Sequence, residues 1–153
     1  MITADYNERA LMPRISIDEF EELIREQVPF ITSLGARLEA LGKGTATVRM
    51  AGKPEFLRPG ETVNGPVLFA LADVAMYAAV MSLIGRSEMA MTSNLNINFL
   101  RPPPMGDLLA EAKMIKLGKR LAVLEATVFS KTVEGEPVAH ATGTYSLPPE
   151  SRK

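Results

Sequence analysis

The order of apolar and polar residues predicts one long buried helix between two groups of strands. Gly65–Ile84 is almost wholly apolar and carries a single carboxylate, Asp73, near its middle. A run of this length and composition is typical of a helix that is buried on all sides. Small side chains along it permit the close approach of a sheet, so we expect the helix to lie in the concavity of that sheet (Ala70, Ala72, Ala75, Ala78, Ala79).

Alternation with a period of two predicts the strands. It is clearest over residues 92–100, where asparagines point one way and apolar residues the other (Asn94, Asn96, Asn98 against Leu95, Ile97, Phe99). Shorter patterns between turn signals predict further strands at residues 34–41, 45–51, 108–117, 121–130 and 137–147. Turns are predicted at residues 42–44, 118–120 and 134–136, and a loop at 53–63. Residues 17–27 read as an amphipathic helix capped by Ser16.

The predicted order is a helix, two strands, the long helix and four more strands with short connections. Antiparallel strands with one helix segregated to a face define an α+β architecture, here an antiparallel sheet wrapped around one long buried central helix. A chain of 153 residues is long enough for one sizeable core and too short for two comfortable domains. We therefore expect a single domain over residues 1–153, with fraying of the first twelve or so residues and of the tail after Pro149.

Composition and charge narrow the classes of function. The formal net charge is -1 and the isoelectric point about 5.9, which argues against nucleic acid or an anionic membrane as the main partner. The absence of cysteine excludes disulfides and thiol catalysis, and a single histidine, His140, excludes a multi-histidine metal site. Acidic Asp5 and Glu8 argue against a signal peptide, and we expect a cytoplasmic protein. Gly65–Ile84 is long enough to span a membrane, but Asp73 at its centre argues against that.

Asp73 is the residue most indicative of function. An ionised carboxylate on a buried helix is costly unless a partner stabilises it or a reaction uses it. Such residues are candidates for chemistry. The alternative is that Asp73 caps or bridges a neighbouring loop, and the apolar run alone leaves both interpretations open.

The start of the long helix suits either a plain N-terminus or the binding of a carbonyl oxygen. Asn64 is a good N-cap, and Pro66 fits a first turn whose N–H groups lack intrahelical partners. The N–H of Gly65 would be unpaired at the N-terminal end of the helix, called the helix mouth below, where the helix dipole is positive. Glycine there would let a substrate carbonyl approach the backbone closely.

Three segments carry a family resemblance. They are residues 64–73 (NGPVLFALAD), residues 94–102 (NLNINFLRP) leading to Gly106-Asp107, and residues 118–122 (GKRLA) with the closing 141–144 (ATGT). Together they resemble the hotdog fold, and within it the phenylacetate-pathway (PaaI-like) acyl-CoA thioesterases, over roughly residues 28–148. The resemblance implies hydrolysis of an acyl-CoA thioester by a homodimer, often assembled into a homotetramer. Coenzyme A would enter only as part of the substrate, with no further cofactor and no metal.

The resemblance also implies roles for the helix residues. Asp73 would be the nucleophile or general base, and the Gly65 N–H, beside Asn64, would polarise the thioester carbonyl. Eight positions on one helix correspond to about 12 Å of rise, so these two residues of one chain cannot both contact one carbonyl. A second copy across a two-fold interface must supply one of them. We therefore expect two sites per dimer, each combining Gly65 of one subunit with Asp73 of the other.

The resemblance implies roles for further residues, some of which also have a purely structural interpretation. Thr92 lies where relatives place a hydroxyl that orients the water or the carboxylate, although a strand threonine needs no function. Tyr77, one turn beyond Asp73, could bond that residue, line the acyl pocket or simply pack. Pro66 would lie beside the substrate at the helix mouth.

Cationic residues are candidates for binding coenzyme A. Lys119 and Arg120 sit at a turn where relatives bring basic groups to the coenzyme phosphates, and Arg101 is a similar candidate after the asparagine strand. Cations at turns are also commonly just solvated. We interpret His140 as structural and the asparagines as a solvated or interface ladder.

Two departures from the family pattern limit the prediction. Relatives carry His-Gly-Gly at the helix start, where this chain has Asn64-Gly65-Pro66, and an amide residue about six positions earlier, where it has Arg58. Arginine cannot accept a hydrogen bond but can bind a carboxylate or a phosphate. Hydrolysis would then be weak, or the acyl group would carry its own negative charge.

Two functions follow, with the first favoured. The leading prediction is an acyl-CoA thioesterase for a medium-chain or aromatic acyl group. The alternative is a non-hydrolytic acyl-CoA-binding or assembly protein of the same fold. A hotdog-fold dehydratase would need a histidine near the helix start, and His140 lies far along the chain.

Overall fold

The computed structural model describes residues 11–149. The predicted fraying falls mostly on residues outside this range. Within this range the helices are α1 (Ile17–Gln27), α2 (Pro29–Leu34) and α3 (Gly65–Ile84). The strands are β1 (Arg37–Gly42), β2 (Thr45–Met50), β3 (Leu57–Arg58), β4 (Thr62–Val63), β5 (Met91–Phe99), β6 (Leu108–Leu117), β7 (Leu121–Ser130) and β8 (Val133–Ser146). A short 3₁₀ helix covers Pro54–Phe56.

Six strands form one antiparallel sheet in the order β1-β2-β6-β7-β8-β5, and β3 and β4 form a separate small hairpin. The sheet wraps around α3, which contacts each of its six strands. The predicted α+β architecture, a hotdog fold with one long central helix, is therefore confirmed. β5 and β1 form the two edges of the sheet.

The burial of α3 follows from its small and apolar residues. Ala72, Ala75 and Ala79 have no exposed surface, as expected where a helix backbone approaches a sheet closely. Ser82 is a fully buried polar residue in α3, and it is satisfied: its hydroxyl donates to the Ala79 carbonyl over 2.6 Å and accepts the Gly44 N–H over 2.7 Å. By length and composition α3 could cross a membrane, with a mean hydropathy of 2.1, but 72% of that apolar window is buried inside the fold.

α1 has the bounds that the sequence predicts, because its cap is encoded locally. The Ser16 hydroxyl accepts the Glu19 N–H over 3.1 Å, and the Glu19 carboxylate accepts the Ser16 N–H over 3.0 Å. This reciprocal capping box fixes the first turn. On its buried face Phe20 meets the ring of Tyr77 edge-on, with centroids 6.0 Å apart. α1 thus packs against the same helix that carries Asp73.

Two predictions for the first half of the chain differ from the structure. The strand predicted from residue 34 begins at Arg37, because Leu34 ends α2 and Gly35 adopts a left-handed conformation with φ 76°. The loop predicted at residues 53–63 contains the 3₁₀ turn and the β3–β4 hairpin. Long-range contacts hold that hairpin, since the Val63 N–H donates to the Pro103 carbonyl over 2.8 Å.

The last strand begins earlier than predicted. β8 starts at Val133, which pairs with Ser130, so residues 134–136 lie within the strand and not in a turn. The turn falls instead on Lys131 and Thr132. Register shifts around Phe129 let the ladder continue through this segment.

A bulge in β5 changes the face on which Thr92 lies. The pairing of β5 with β8 shifts between Thr92 and Asn94, which leaves Ser93 as the extra residue. Unbroken alternation would put Thr92 on the face of Asn94. The bulge turns Thr92 to the face of Ile97 and Phe99, toward α3. The strict alternation predicted over residues 92–100 is therefore wrong at its first residues.

Candidate active site

Asp73 lies in the middle of α3, at the wall of a largely apolar cavity of about 760 Å³. Its side chain is half-buried, while its neighbours Ala72 and Val74 are buried. The cavity is bounded by α2, α3, β5 and β8, and its lining is mostly aromatic and aliphatic (Val28, Phe30, Ile31, Gly65, Pro66, Phe69, Ala70, Val74, Tyr77, Ala90, Thr92, Ile97, Phe99, Tyr145). A space of this size and polarity suits a small apolar ligand with one reactive polar end.

Two hydroxyl groups hold the Asp73 carboxylate. Thr92 Oγ1 donates to Asp73 Oδ1 over 2.7 Å. The Tyr145 hydroxyl donates to the same oxygen, and it shares its single proton with the Asp73 backbone carbonyl, which lies 2.7 Å away. Asp73 Oδ2 accepts no hydrogen bond from residues 11–149 and is not a buried atom, so it opens to the cavity.

Sequence reasoning missed Tyr145, although a signal was present. Ala141 and Gly143 belong to the closing segment of the family resemblance and lie on the buried face of β8. Tyr145 follows at the next position of the same parity and is only 2% exposed. Period-two alternation would have put its hydroxyl on the helix side of the sheet.

Both tyrosines of the site remain protonated at neutral pH. Burial, followed by the charge of Asp73, raises the pKa of Tyr145 well above its ordinary value of 10. Burial, followed by Glu88, raises the pKa of Tyr77 to about 12. The Tyr77 ring stacks on Tyr145 at 6.3 Å, and its hydroxyl donates to the Glu88 carbonyl over 3.1 Å. Of its predicted roles, Tyr77 therefore lines the cavity and packs, and does not bond Asp73.

The raised pKa values predict a loss of stability at alkaline pH. The unfolded tyrosines release protons near pH 10, whereas folded Tyr145 and Tyr77 hold theirs, so the free energy of unfolding falls as the pH rises above about 10. The contribution of Tyr77 ends near pH 12. We expect urea denaturation between pH 8 and pH 11.5 to show a shallower alkaline decline for Tyr145→Phe than for wild type. Equal slopes would contradict the burial of this phenol.

The mouth of α3 is built as the sequence predicts. Asn64 Oδ1 accepts the Val67 N–H over 3.0 Å, which makes Asn64 the N-cap. The Gly65 N–H has no hydrogen-bond partner among residues 11–149. A Cβ at Gly65 would lie 3.0 Å from the tip of the Phe99 ring, so the absence of a side chain keeps this entrance open. Asn64 is thereby occupied as a cap, and Gly65 borders the cavity.

Two of the predicted cationic residues lie beside this mouth. A second cavity of about 310 Å³ shares Gly65 and Phe99 with the first and is bordered by Arg58 and Arg101. Arg58 is exposed and forms no ion pair within residues 11–149. The Arg101 guanidinium is fixed: Nε lies 2.8 Å from the Glu136 carboxylate, and Nη1 donates to the Pro137 carbonyl over 2.8 Å.

The remaining candidate residues from the sequence lie away from the cavity that contains Asp73. Lys119 borders a separate cavity of about 750 Å³ at the C-terminal end of α3, and neighbouring Arg120 does not line the Asp73 cavity either. His140 Nε2 lies 3.1 Å from the Glu125 carboxylate, in agreement with a structural role. Three exposed asparagines pair with β8 on the face turned away from α3 (Asn94, Asn96, Asn98). Within residues 11–149, no three His, Asp or Glu side chains are grouped to hold a metal ion.

The chain is similar to known proteins over most of its length. The model of the thioesterase superfamily matches residues 60–136 of this chain. A protein of Saccharolobus solfataricus that carries an esterase name is 31% identical over 135 residues, covering 88% of this chain and 87% of the relative.

Solved structures agree with the sequence matches. A protein of Silicibacter sp. TM1040 that carries a thioesterase name superposes with a TM-score of 0.79 at 42% identity, covering 90% of this chain and 94% of that chain. A variant of the phenylacetic acid degradation protein PaaI from Thermus thermophilus gives a TM-score of 0.70 at 30% identity, covering 78% and 99%. The segment that matches the family model contains Gly65, Asp73 and Thr92.

Proposed function

This chain belongs to the thioesterase superfamily, and we propose that it hydrolyses an acyl-CoA thioester to a free acid and coenzyme A, with Asp73 as the reacting carboxylate. Its relatives support a hydrolase of acyl thioesters in general. The observation that carries the finer proposal is the Asp73 carboxylate, held by Thr92 and Tyr145 with one oxygen open to an apolar cavity.

Thioester hydrolysis needs two kinds of group, and both border this cavity. The carbonyl must be polarised by a hydrogen-bond donor, and the unpartnered Gly65 N–H at the helix N-terminus supplies one. A carboxylate must attack the carbonyl carbon or take a proton from the attacking water, and Asp73 supplies it. The C–S bond then breaks, and the departing sulfur of the coenzyme takes up a proton that the water has released.

The site is completed by a second copy of the chain. Gly65 and Asp73 lie eight residues apart on α3, about 12 Å, although both border the same cavity. Edge strand β5 pairs with β8 on one side only within the described residues, and exposed Met91 and Phe99 lie along it. An exposed apolar edge strand is a template for pairing with another chain. We propose a homodimer through this edge, and a dimer of dimers as its further assembly.

A panel of acyl-CoA esters tests the proposal. Release of free thiol is measured with straight-chain, aromatic and dicarboxylic acyl-CoA esters, and binding of a non-hydrolysable thioether analogue is measured by calorimetry. We expect thiol release for at least one ester, at a rate proportional to enzyme concentration. Tight binding of the analogues without thiol release would favour the alternative, a non-hydrolytic acyl-CoA-binding protein.

Arg58 predicts a substrate with a negative group near the helix mouth. The Arg58 guanidinium, which forms no ion pair within residues 11–149, can bind a carboxylate on the acyl chain or a phosphate of the coenzyme. We expect Arg58→Gln to raise the KM about tenfold for an ester with a terminal carboxylate, and less than about twofold for an uncharged ester of equal length. The exposed Arg25→Gln, on α1, is the matched control.

The two sources of negative charge are separable with truncated substrates. If Arg58 contacts coenzyme phosphates, Arg58→Gln raises the KM for charged and uncharged acyl-CoA esters alike, and has no effect on acyl-pantetheine esters, which lack those phosphates. If the KM changes for none of these substrates, Arg58 is not a binding residue.

A further inference from the structure

The hydroxyls of Thr92 and Tyr145 converge on the same oxygen of Asp73. They approach from two different strands, β5 and β8, which pair through Thr92 and Tyr145 themselves. The Tyr145 hydroxyl also contacts the backbone carbonyl of Asp73, so one phenol links the carboxylate to the helix that carries it. Asp73 Oδ2 is left without a donor from residues 11–149.

From this geometry we propose that Tyr145 is a positioning residue, which together with Thr92 fixes Oδ1 so that Oδ2 is the reacting oxygen of Asp73. This inference rests on the proposed hydrolysis of an acyl thioester. It assigns to Tyr145 a role that it exerts through Asp73, without contact with the reacting atoms.

A carboxylate needs such fixation because its terminal torsion is soft. Rotation about the Cβ–Cγ bond has broad and shallow preferences. A single hydrogen-bond donor would restrain Oδ1 along one direction only, and the carboxylate could still rotate. Two donors from separate strands restrain Oδ1 along two directions and so define the plane of the carboxylate. Tyr145 can serve as a rigid anchor, since it is 2% exposed and stacked on Tyr77 at 6.3 Å. A misplacement of about 1 Å at a reacting centre can cost about a hundredfold in rate.

The reacting oxygen enters the chemistry in one of two balanced ways. As a general base, Oδ2 takes a proton from water while the water oxygen bonds to the carbonyl carbon; the proton then passes to the departing sulfur as the C–S bond breaks. As a nucleophile, Oδ2 bonds to the carbonyl carbon and the thiolate leaves, and water then hydrolyses the resulting anhydride. In both, Oδ1 keeps its hydrogen bonds throughout.

Removal of single hydroxyls tests this assignment. We expect Tyr145→Phe and Thr92→Val each to lower kcat by about tenfold to a hundredfold, with KM within about twofold of wild type. Because both act on one oxygen, the double variant should lose less than the product of the single losses. Thr92→Ser retains the donor and should recover most of the activity that Thr92→Val loses. Thr142→Val removes an exposed hydroxyl on β8 away from the cavity and is the matched control.

Three outcomes would overturn the proposal. Full kcat in a folded Tyr145→Phe shows that the phenol does not position Asp73, and a raised KM at unchanged kcat shows that it acts on substrate binding instead. Crystal structures of wild type and Tyr145→Phe add a readout that is independent of activity: we expect the Asp73 carboxylate to rotate or split into two conformers in the variant. An unchanged position of the Asp73 carboxylate in Tyr145→Phe contradicts the inference, whether or not wild type cleaves a thioester. Failure of wild type to cleave any thioester contradicts only the proposed function.

Discussion

Asp73→Asn is expected to lower the rate of thioester cleavage by at least about a hundredfold, within the range for a positioned base or nucleophile. Asparagine has the shape of aspartate and can still accept hydrogen bonds from Thr92 and Tyr145 through its amide oxygen. It cannot take a proton from water or attack a carbonyl. The fold, the dimer and the melting temperature should therefore be kept while turnover is lost.

The measurement is kcat for the best ester of the panel, with thermal unfolding and sedimentation in parallel. Asp18→Asn, in the exposed first turn of α1, is the matched control, and we expect it to leave kcat unchanged. Wild-type turnover in Asp73→Asn would rule out the proposed mechanism. A loss of turnover that accompanies a large fall in melting temperature would point instead to a structural role for the carboxylate.

Local signals in the chain predict much of the fold. α1 is correct to the residue because its capping box is contained in four consecutive positions, from Ser16 to Glu19. α3 is correct because an almost unbroken apolar run between Asn64 and Gly85 is typical of a helix that is buried on all sides. The start of α3 is encoded locally as well: the predicted N-cap is found, and the Gly65 N–H has no hydrogen-bond partner among residues 11–149.

What the sequence does not predict depends on pairing between distant segments. The bulge at Ser93 arises only in the ladder between β5 and β8, where residues about fifty positions apart are in register, so alternation within β5 could not indicate the face of Thr92. Tyr145 reaches Asp73 for the same reason, across 72 positions of the chain. The fixation of Arg101 by Glu136 likewise joins the segment after β5 to the first part of β8, which only the folded sheet brings together.

The proposed cross-subunit site makes the sharpest prediction, which concerns heterodimers of two inactive chains. One chain carries Asp73→Asn, and the other carries Gly65→Val, whose side chain would block the helix mouth. A Cβ at Gly65 would lie 3.0 Å from the tip of the Phe99 ring, so this ring must shift by a few tenths of an ångström, and the folding and dimerisation of the variant are measured first. Each homodimer should be inactive. A mixed dimer has one composite site with an intact Gly65 and an intact Asp73, and we expect about half of the wild-type kcat per dimer.

Heterodimers are isolated with two different affinity tags, after each variant is shown to fold and to exchange subunits. In an unsorted mixture about half of the dimers are mixed, which predicts about a quarter of wild-type activity. The matched control places both changes in one chain and pairs it with wild type: each of its composite sites then lacks one group, and it should be inactive. The opposite pattern, with the control half active and the first heterodimer inactive, would show that Gly65 and Asp73 act within one subunit.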